Sequence, residues 1–277
     1  MKRERTMRWV IGIAAVVASV IIFILPFAFI IIQAMKTRQE ASELAFTWPT
    51  ELAFVENFVE VITQRDYIVA RAFVNSTVLT VASVTFLVVI AAMVGYVMQR
   101  RASKIRTVAN FFVLAGLIVP PAVVPTVWVL QTVGLFGTLP GLILIEITFG
   151  LAFSILLFRA FVATIPRSLD EAAIIDGAGP FRIFLGVILP LMKPTVVTVI
   201  VVQSVQIFND FANPLYFLPG DDNATVQLTL YNFQSQSSNQ WNLLFMDILL
   251  ITIPPLIMYI FFNRQIVAGL TSGAVKG

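Results

Sequence analysis

The sequence predicts an all-α membrane protein of six transmembrane helices, with a cytoplasmic loop of two short helices between the fourth and fifth. Three observations predict it. Of 277 residues, 58% are hydrophobic and 12% charged, about half the charged share of a soluble domain. The charges sit in clusters between apolar runs long enough to cross a bilayer, which takes ~20 mostly apolar residues. And Lys and Arg fall unevenly on alternate clusters, which is how membrane topology is written.

Lys2, Arg3, Arg5 and Arg8 precede the first run, residues 9–32, which is free of charge. It is longer than the apolar core of a signal peptide (~7–15 residues), and no small-x-small cleavage site leading into a soluble domain is evident. The expectation is a retained first helix. A second span covers 72–99. No charge occurs from Thr107 to Ile145, and Gly134, Gly137, Pro140 and Gly141 divide that stretch into a third span, 108–133, and a fourth, 142–161. The fifth, 195–213, carries Gln203, Gln206 and Asn209, and the sixth, 243–262, carries Asp247. Helices with such residues face protein or a wet cavity rather than lipid. Pro120-Pro121 and Pro254-Pro255 are expected to kink spans three and six, which neighbours can tolerate by satisfying the freed carbonyls.

With both termini cytoplasmic, 14 of the 18 Lys and Arg lie inside, and Lys36, Arg38, Arg65 and Arg71 lie outside. That bias fixes the expected orientation. The 36–71 segment holds six acids from Glu40 to Asp66 and a net charge of −2. It reads as an extracytoplasmic loop, as does 214–242 with its polar stretch 234–240. The net charge of +3 leaves no long basic stripe for nucleic acid. The absence of Cys and His removes disulfide frameworks, thiol nucleophiles and the common zinc sites. No HExxH pair or nucleophile–base arrangement is present, so neither a catalytic nor a metal site is expected.

One segment does not belong to lipid: IPRSLDEAAIIDGAGPFRIFLGVILPLMKP, residues 165–194. Ser168 to Glu171 reads as a capping box, the Ser168 hydroxyl accepting an early N–H while Glu171 reaches back. Asp170 and Glu171 suit the positive end of the helix dipole. Asp176-Gly177 is a stop, with Gly177 taking the left-handed position after the helix. Gly179-Pro180 opens a second short helix with Pro at its first position. Pro190 and Pro194 bracket the return to the membrane.

The run Glu171-Ala172-Ala173, then Asp176-Gly177-Ala178, then Ile188-Leu189-Pro190-Leu191 and Pro194, resembles the EAA loop of binding-protein-dependent ABC importer permeases. It is similar in particular to the carbohydrate-uptake subfamily related to the maltose permeases. Lys36-Thr37, Asn75-Ser76 and Ile165-Pro166 extend the likeness, and the tail Gly269-Leu270-Thr271-Ser272-Gly273-Ala274-Val275-Lys276-Gly277 is similar to the end of the MalG-like permease of such systems. Where family members often carry a Trp-Asn pair in the fifth span, this chain has Phe208-Asn209.

The resemblance implies a single permease domain, 1–277, in a bacterial or archaeal plasma (inner) membrane. Its implied partners are a second homologous permease, two ATP-binding subunits, an extracytoplasmic solute-binding protein and membrane lipid, with no nucleic acid. It implies that Ser168, Asp170, Glu171, Ala172, Ala173, Asp176, Gly177 and Ala178 form the ATPase-coupling loop. The solute implied is a sugar or oligosaccharide. No cofactor is expected on this chain; ATP and Mg belong to the partner ATPase, and no GxxxxGK[ST] phosphate loop occurs here.

At 100° per residue, Gln203, Gln206, Asn209, Asp210 and Asn213 fall within one arc of about 120°. That stripe either lines a hydrated solute path or hydrogen-bonds a partner permease. The alternative function is an ion-coupled secondary transporter, which needs ionisable groups deep in the bilayer. Only Glu146 is plainly intramembrane, as a transport group or as a structural acceptor for a neighbouring subunit. No inverted repeat is evident.

Overall fold

The computed structural model describes residues 2–101, 104–234 and 240–272, and among them it is helical with no strand. In chain order, α1 is Lys2–Ala34, α2 Arg38–Ser42, α3 Phe54–Arg100, α4 Lys104–Ile118, α5 Val123–Thr132, α6 Leu139–Val162 and α7 Ser168–Ile175. Then come α8 Pro180–Ile183, a π-helical turn Phe184–Ile188, α9 Leu189–Leu191, α10 Lys193–Phe208, α11 Ala212–Phe217, α12 Val226–Gln234 and α13 Trp241–Ser272. Residues 235–239, within the expected outer loop, and 273–277, the end of the expected family-like tail, lie outside the described residues.

Among the described residues, four helical stretches are long and apolar enough to cross a bilayer: Ile11–Ala34, Phe54–Arg100, Leu139–Val162 and Trp241–Asn263. They contain the expected spans two, four and six and all but the first two residues of span one. Pro254 and Pro255 lie inside α13 without ending it.

The third and fifth regions take other forms. Pro120 and Pro121 lack an N–H and disfavour helical geometry in the residue before them. Around them the chain breaks, and α4 meets α5 at 117°, far beyond the expected kink. In the fifth region α10 is 16 residues long, only ~24 Å at 1.5 Å per residue, and helix stops at Asn209 rather than continuing to Asn213. The cause is Asp210, whose carboxylate accepts the amides of Ala212 (2.9 Å) and Asn213 (3.3 Å). This local bond competes with helix continuation and starts α11 afresh. The segment Pro180–Leu191 meets α10 at 76°.

The chain forms two compact units, residues 1–70 with 229–253 and residues 71–228 with 254–277. The first unit is organised by buried polar side chains. Asn57 donates through Nδ2 to the Ala34 and Lys36 carbonyls (2.9 and 2.8 Å) and accepts from Asn242 (2.6 Å). The last carbonyl of α1, that of Ala34, thus gains a partner that the helix cannot supply. Lys36, 1% exposed, donates to the Ala45 carbonyl (2.7 Å) and to Thr47 Oγ1 (3.1 Å). α3 is interrupted at Gln64–Tyr67, where Arg65, Asp66 and Tyr67 have φ of 51°, 56° and 59°. The straight stretch that follows contains the expected span 72–99.

In the second unit an apolar core joins Leu79, Leu87 and Ala91 of α3 to Ile147, Ile155 and Phe158 of α6, with Ile188 and Met192 beneath. Gly95 is what lets α3 and α6 approach: a Cβ there would lie 2.8 Å from Phe158 Cβ and 3.1 Å from the Arg159 backbone nitrogen. Asn75 Nδ2 donates to the Ala224 carbonyl (3.1 Å), and the Val226 amide donates to Ser76 Oγ (3.0 Å). That pair ties the segment before α12 to the start of the second span.

Candidate functional site

Two constellations emerge, an elbow at 165–194 and a cleft beside α10.

The elbow begins differently from its expected form. Arg167 already has helical φ and ψ (−66°, −25°) and stands as the cap of α7, without a side-chain cap bond. The Glu171 amide donates to the Arg167 carbonyl at 3.1 Å. Ser168 is therefore the first residue of the helix, where its hydroxyl does not cap it, and the expected capping box is not formed. Asp170 is engaged elsewhere. Its Oδ1 accepts from Tyr96 Oη at 2.7 Å, and its Oδ2 pairs with Arg100 Nη2 at 2.9 Å, with the Arg100 and Asp170 side chains 11% and 13% exposed. Arg100 Nη2 also donates to the Ile165 carbonyl at 3.0 Å, and the Tyr96 ring lies 5.6 Å from that of Phe184. The C-terminal end of α3 thus grips the elbow at Ile165, at α7 and at the π-helical turn.

The end of α7 follows the expectation. Gly177 has φ +77°. The Ala178 amide donates to the Ala173 carbonyl (2.9 Å) and the Gly177 amide to the Ile174 carbonyl (3.0 Å), the paired bonds of a glycine C-terminal motif. Gly179 is extended (ψ 164°) and Pro180 opens α8. Ala173 is buried, whereas Glu171, Ala172, Asp176 and Gly177 are exposed and Ala178 is half-buried. Ile175 and Phe181 are 85% and 71% exposed, so the outward side of the elbow is apolar as well as acidic.

The cleft has a volume of about 1270 Å³. All five residues of the expected stripe, Gln203, Gln206, Asn209, Asp210 and Asn213, line it, together with Glu146 of α6 and the Pro120-Pro121 break. The stripe is kept although the helix is not, because the Asp210 turn brings Asn213 back to the same side. Asn213 Nδ2 donates to Glu146 Oε1 at 3.2 Å. Glu146 thus has an acceptor role within its own chain. Gln203 is 2% exposed, and Gly150 makes room for it: a Cβ at Gly150 would stand 2.7 Å from Gln203 Oε1. Asn209 donates to the Val205 carbonyl (2.8 Å) and accepts from Gln227 Nε2 (3.3 Å). Phe208 is buried and is not among the lining residues.

Sequence reasoning missed Tyr96 and Arg100 as site residues, reading Arg100 only as a topology charge. Their spacing of four, which places both on one helix face, was the available signal.

The sequence profile described as binding-protein-dependent transport system inner membrane component matches residues 88–270. The probable starch degradation products transport system permease protein AmyC of Thermoanaerobacterium thermosulfurigenes is 28% identical, with 100% of both chains covered. The melibiose/raffinose/stachyose import permease protein MelC of Bacillus subtilis is 27% identical over 99% of each. Among solved structures, a bacterial ABC transporter that imports the acidic polysaccharide alginate superposes with a TM-score of 0.81 at 18% identity, covering 95% of this chain and 97% of that one. That last match is a likeness of fold.

Proposed function

The chain belongs to the family of binding-protein-dependent transport system inner membrane components, and from that premise we propose that it is one of two permease subunits of an ATP-driven sugar or oligosaccharide importer. The observation that carries the proposal is the family match over 88–270, which contains both the elbow and the cleft. Relatives of nearly equal length that are named for starch products and for melibiose, raffinose and stachyose support the solute class.

In this reading the chain crosses the membrane six times, the bent pair α4–α5 counting as the third span and α10 with α11 as the fifth. Both termini and the elbow are cytoplasmic, as the 14-to-4 basic asymmetry requires. The outward side of α7, from Glu171 to Ala178 with Ile175 exposed, docks on a separate ATPase that binds ATP and Mg. An extracytoplasmic binding protein delivers solute from the other side. The cleft forms this subunit's share of the solute path, through Gln203, Gln206, Asn209, Asp210 and Asn213.

The test is reconstitution of the assembled importer in proteoliposomes. Uptake should require ATP and the binding protein, and survive collapse of proton and sodium gradients. Uptake that follows an ion gradient without ATP would assign the chain to the secondary transporters instead. Orientation is tested separately in this cysteine-free chain: single cysteines at Glu56 and Gly177 should label from opposite sides of the membrane, and labelling of both from outside would overturn the topology.

A further inference from the structure

The side chains of the cleft share one charge type. Glu146 and Asp210 are carboxyl groups, Gln203, Gln206, Asn209 and Asn213 are amides, and no Lys or Arg lines the cleft among the described residues. The chain contains no His. The two carboxyls come from different elements and line the same cleft, where Asn213 Nδ2 donates to Glu146.

A second observation is independent of the acids. Gln203 lines the cleft, is 2% exposed, and its Nε2 has no hydrogen-bond partner among the described residues. A buried amide donor of this kind is matched by an oxygen acceptor on a ligand. Carboxylates take hydroxyl donors in short, charge-assisted bonds, and amides both donate and accept. Phe112, Phe149 and Phe153 also line the cleft and add apolar surface suited to the C–H faces of a pyranose. The site therefore offers acceptors, mixed amides and rings, and no cation to meet an acid.

Building on the reading of this chain as a solute-import subunit, we propose that the cleft is a binding site for uncharged, hydroxyl-rich saccharides. Glu146 and Asp210 accept hydroxyls and exclude uronate-type anions. Negative charge in a low-dielectric cleft repels like charge far more strongly than the same charge in water.

The absence of cysteine gives a direct assay. Ala122, small, exposed and lining the cleft, is replaced in the full importer, with the partner subunits made cysteine-free and the complex held in lipid nanodiscs. The rates of modification of Ala122→Cys by a cationic trimethylammonioethyl and an anionic sulfonatoethyl methanethiosulfonate are compared with their ratio on free mercaptoethanol. The cation preference should exceed the free-thiol reference by about tenfold and fall back to it when Glu146→Gln and Asp210→Asn are added. Maltotriose or raffinose should slow modification, and trigalacturonate at the same concentration should not. A ratio equal to the reference, equal protection by trigalacturonate, or no protection by either neutral sugar overturns the proposal. Co-purification of the ATPase with the Ala122→Cys protein is scored in parallel. An intact complex without charge preference sinks this inference alone, whereas failure to hold any ATPase sinks the importer reading on which it rests.

Discussion

Truncating Asp170 tests what holds the elbow to the membrane helices. In the native arrangement its carboxylate accepts from Tyr96 at 2.7 Å and pairs with Arg100 at 2.9 Å, with both charged side chains roughly nine-tenths buried. Removing one member of a buried pair costs about 3–5 kcal/mol, because the other charge is left desolvated. Here slight exposure and the second acceptor of Arg100, the Ile165 carbonyl, place Asp170→Ala at the lower end, about 3 kcal/mol. That is roughly 100-fold in the ratio of docked to undocked elbow. Tyr96→Phe deletes a single bond to a charged acceptor, about 1.5 kcal/mol, or roughly tenfold.

The readout is a cysteine at Ala173, the buried residue of α7, at 9% exposure. When opening is fast and rare, its modification rate by a maleimide follows the open population. The rate should rise about 100-fold in Asp170→Ala and about tenfold in Tyr96→Phe, and the charge reversal Arg100→Asp with Asp170→Arg should recover part of the protection. Equal rates in the parent and Asp170→Ala proteins would refute the reasoning, since the latch would then contribute nothing to docking.

Three other outcomes are expected. Gly177→Val forces a β-branched residue to φ +77°, where nothing crowds a Cβ. The cost is therefore backbone strain alone, about 1–2 kcal/mol, and the permease should insert normally while ATPase association, measured by co-purification, weakens. Gln206→Ala and Asn209→Ala should each lower the uptake rate with the complex still assembled; wild-type uptake by both would remove them from the path. The Glu40 carboxyl is held below its usual range chiefly by the Thr50 hydroxyl and then by the Thr50 amide. Its contribution is present above the ordinary carboxylate range of about 4.3 and is lost as pH falls through the lowered value. Protection of the Thr50 amide from hydrogen exchange should hold from neutral pH to about pH 5, and its loss already in that range would contradict the assignment.

The apolar runs were legible because a bilayer demands length, and length can be read by counting. Four of the expected runs lie in helices long and apolar enough to span for that reason. The third did not appear as a single helix, since counting apolar residues across Pro120-Pro121 says that the stretch is hydrophobic but not how far two adjacent prolines turn it. The end of α10 was hidden for a related reason. Asp210 looks like a polar member of a helical stripe, and only its bonds to Ala212 and Asn213 reveal that it stops the helix. The elbow was half legible. Gly177 acts through its own backbone, so sequence alone identifies it, whereas the Ser168 box depended on where the helix began, and Arg167 moved that start by one residue.

The cleft was legible as a stripe and illegible as an enclosure, and the difference bears on function. A 100° periodicity places Gln203 and Gln206 on one face, but it cannot bring in Glu146, which lies 67 positions from the Asn213 amide that holds it. Nor can it show that Gly150 creates the room Gln203 occupies. The same holds for Tyr96 and Asp170, which meet across 74 residues. In each case the residue visible in a local motif is completed by one from another helix. A mutational survey confined to the EAA-like segment would therefore leave out Tyr96 and Arg100. On the geometry seen here, those two side chains tie the elbow to α3, which the covalent chain between α6 and α10 alone does not reach.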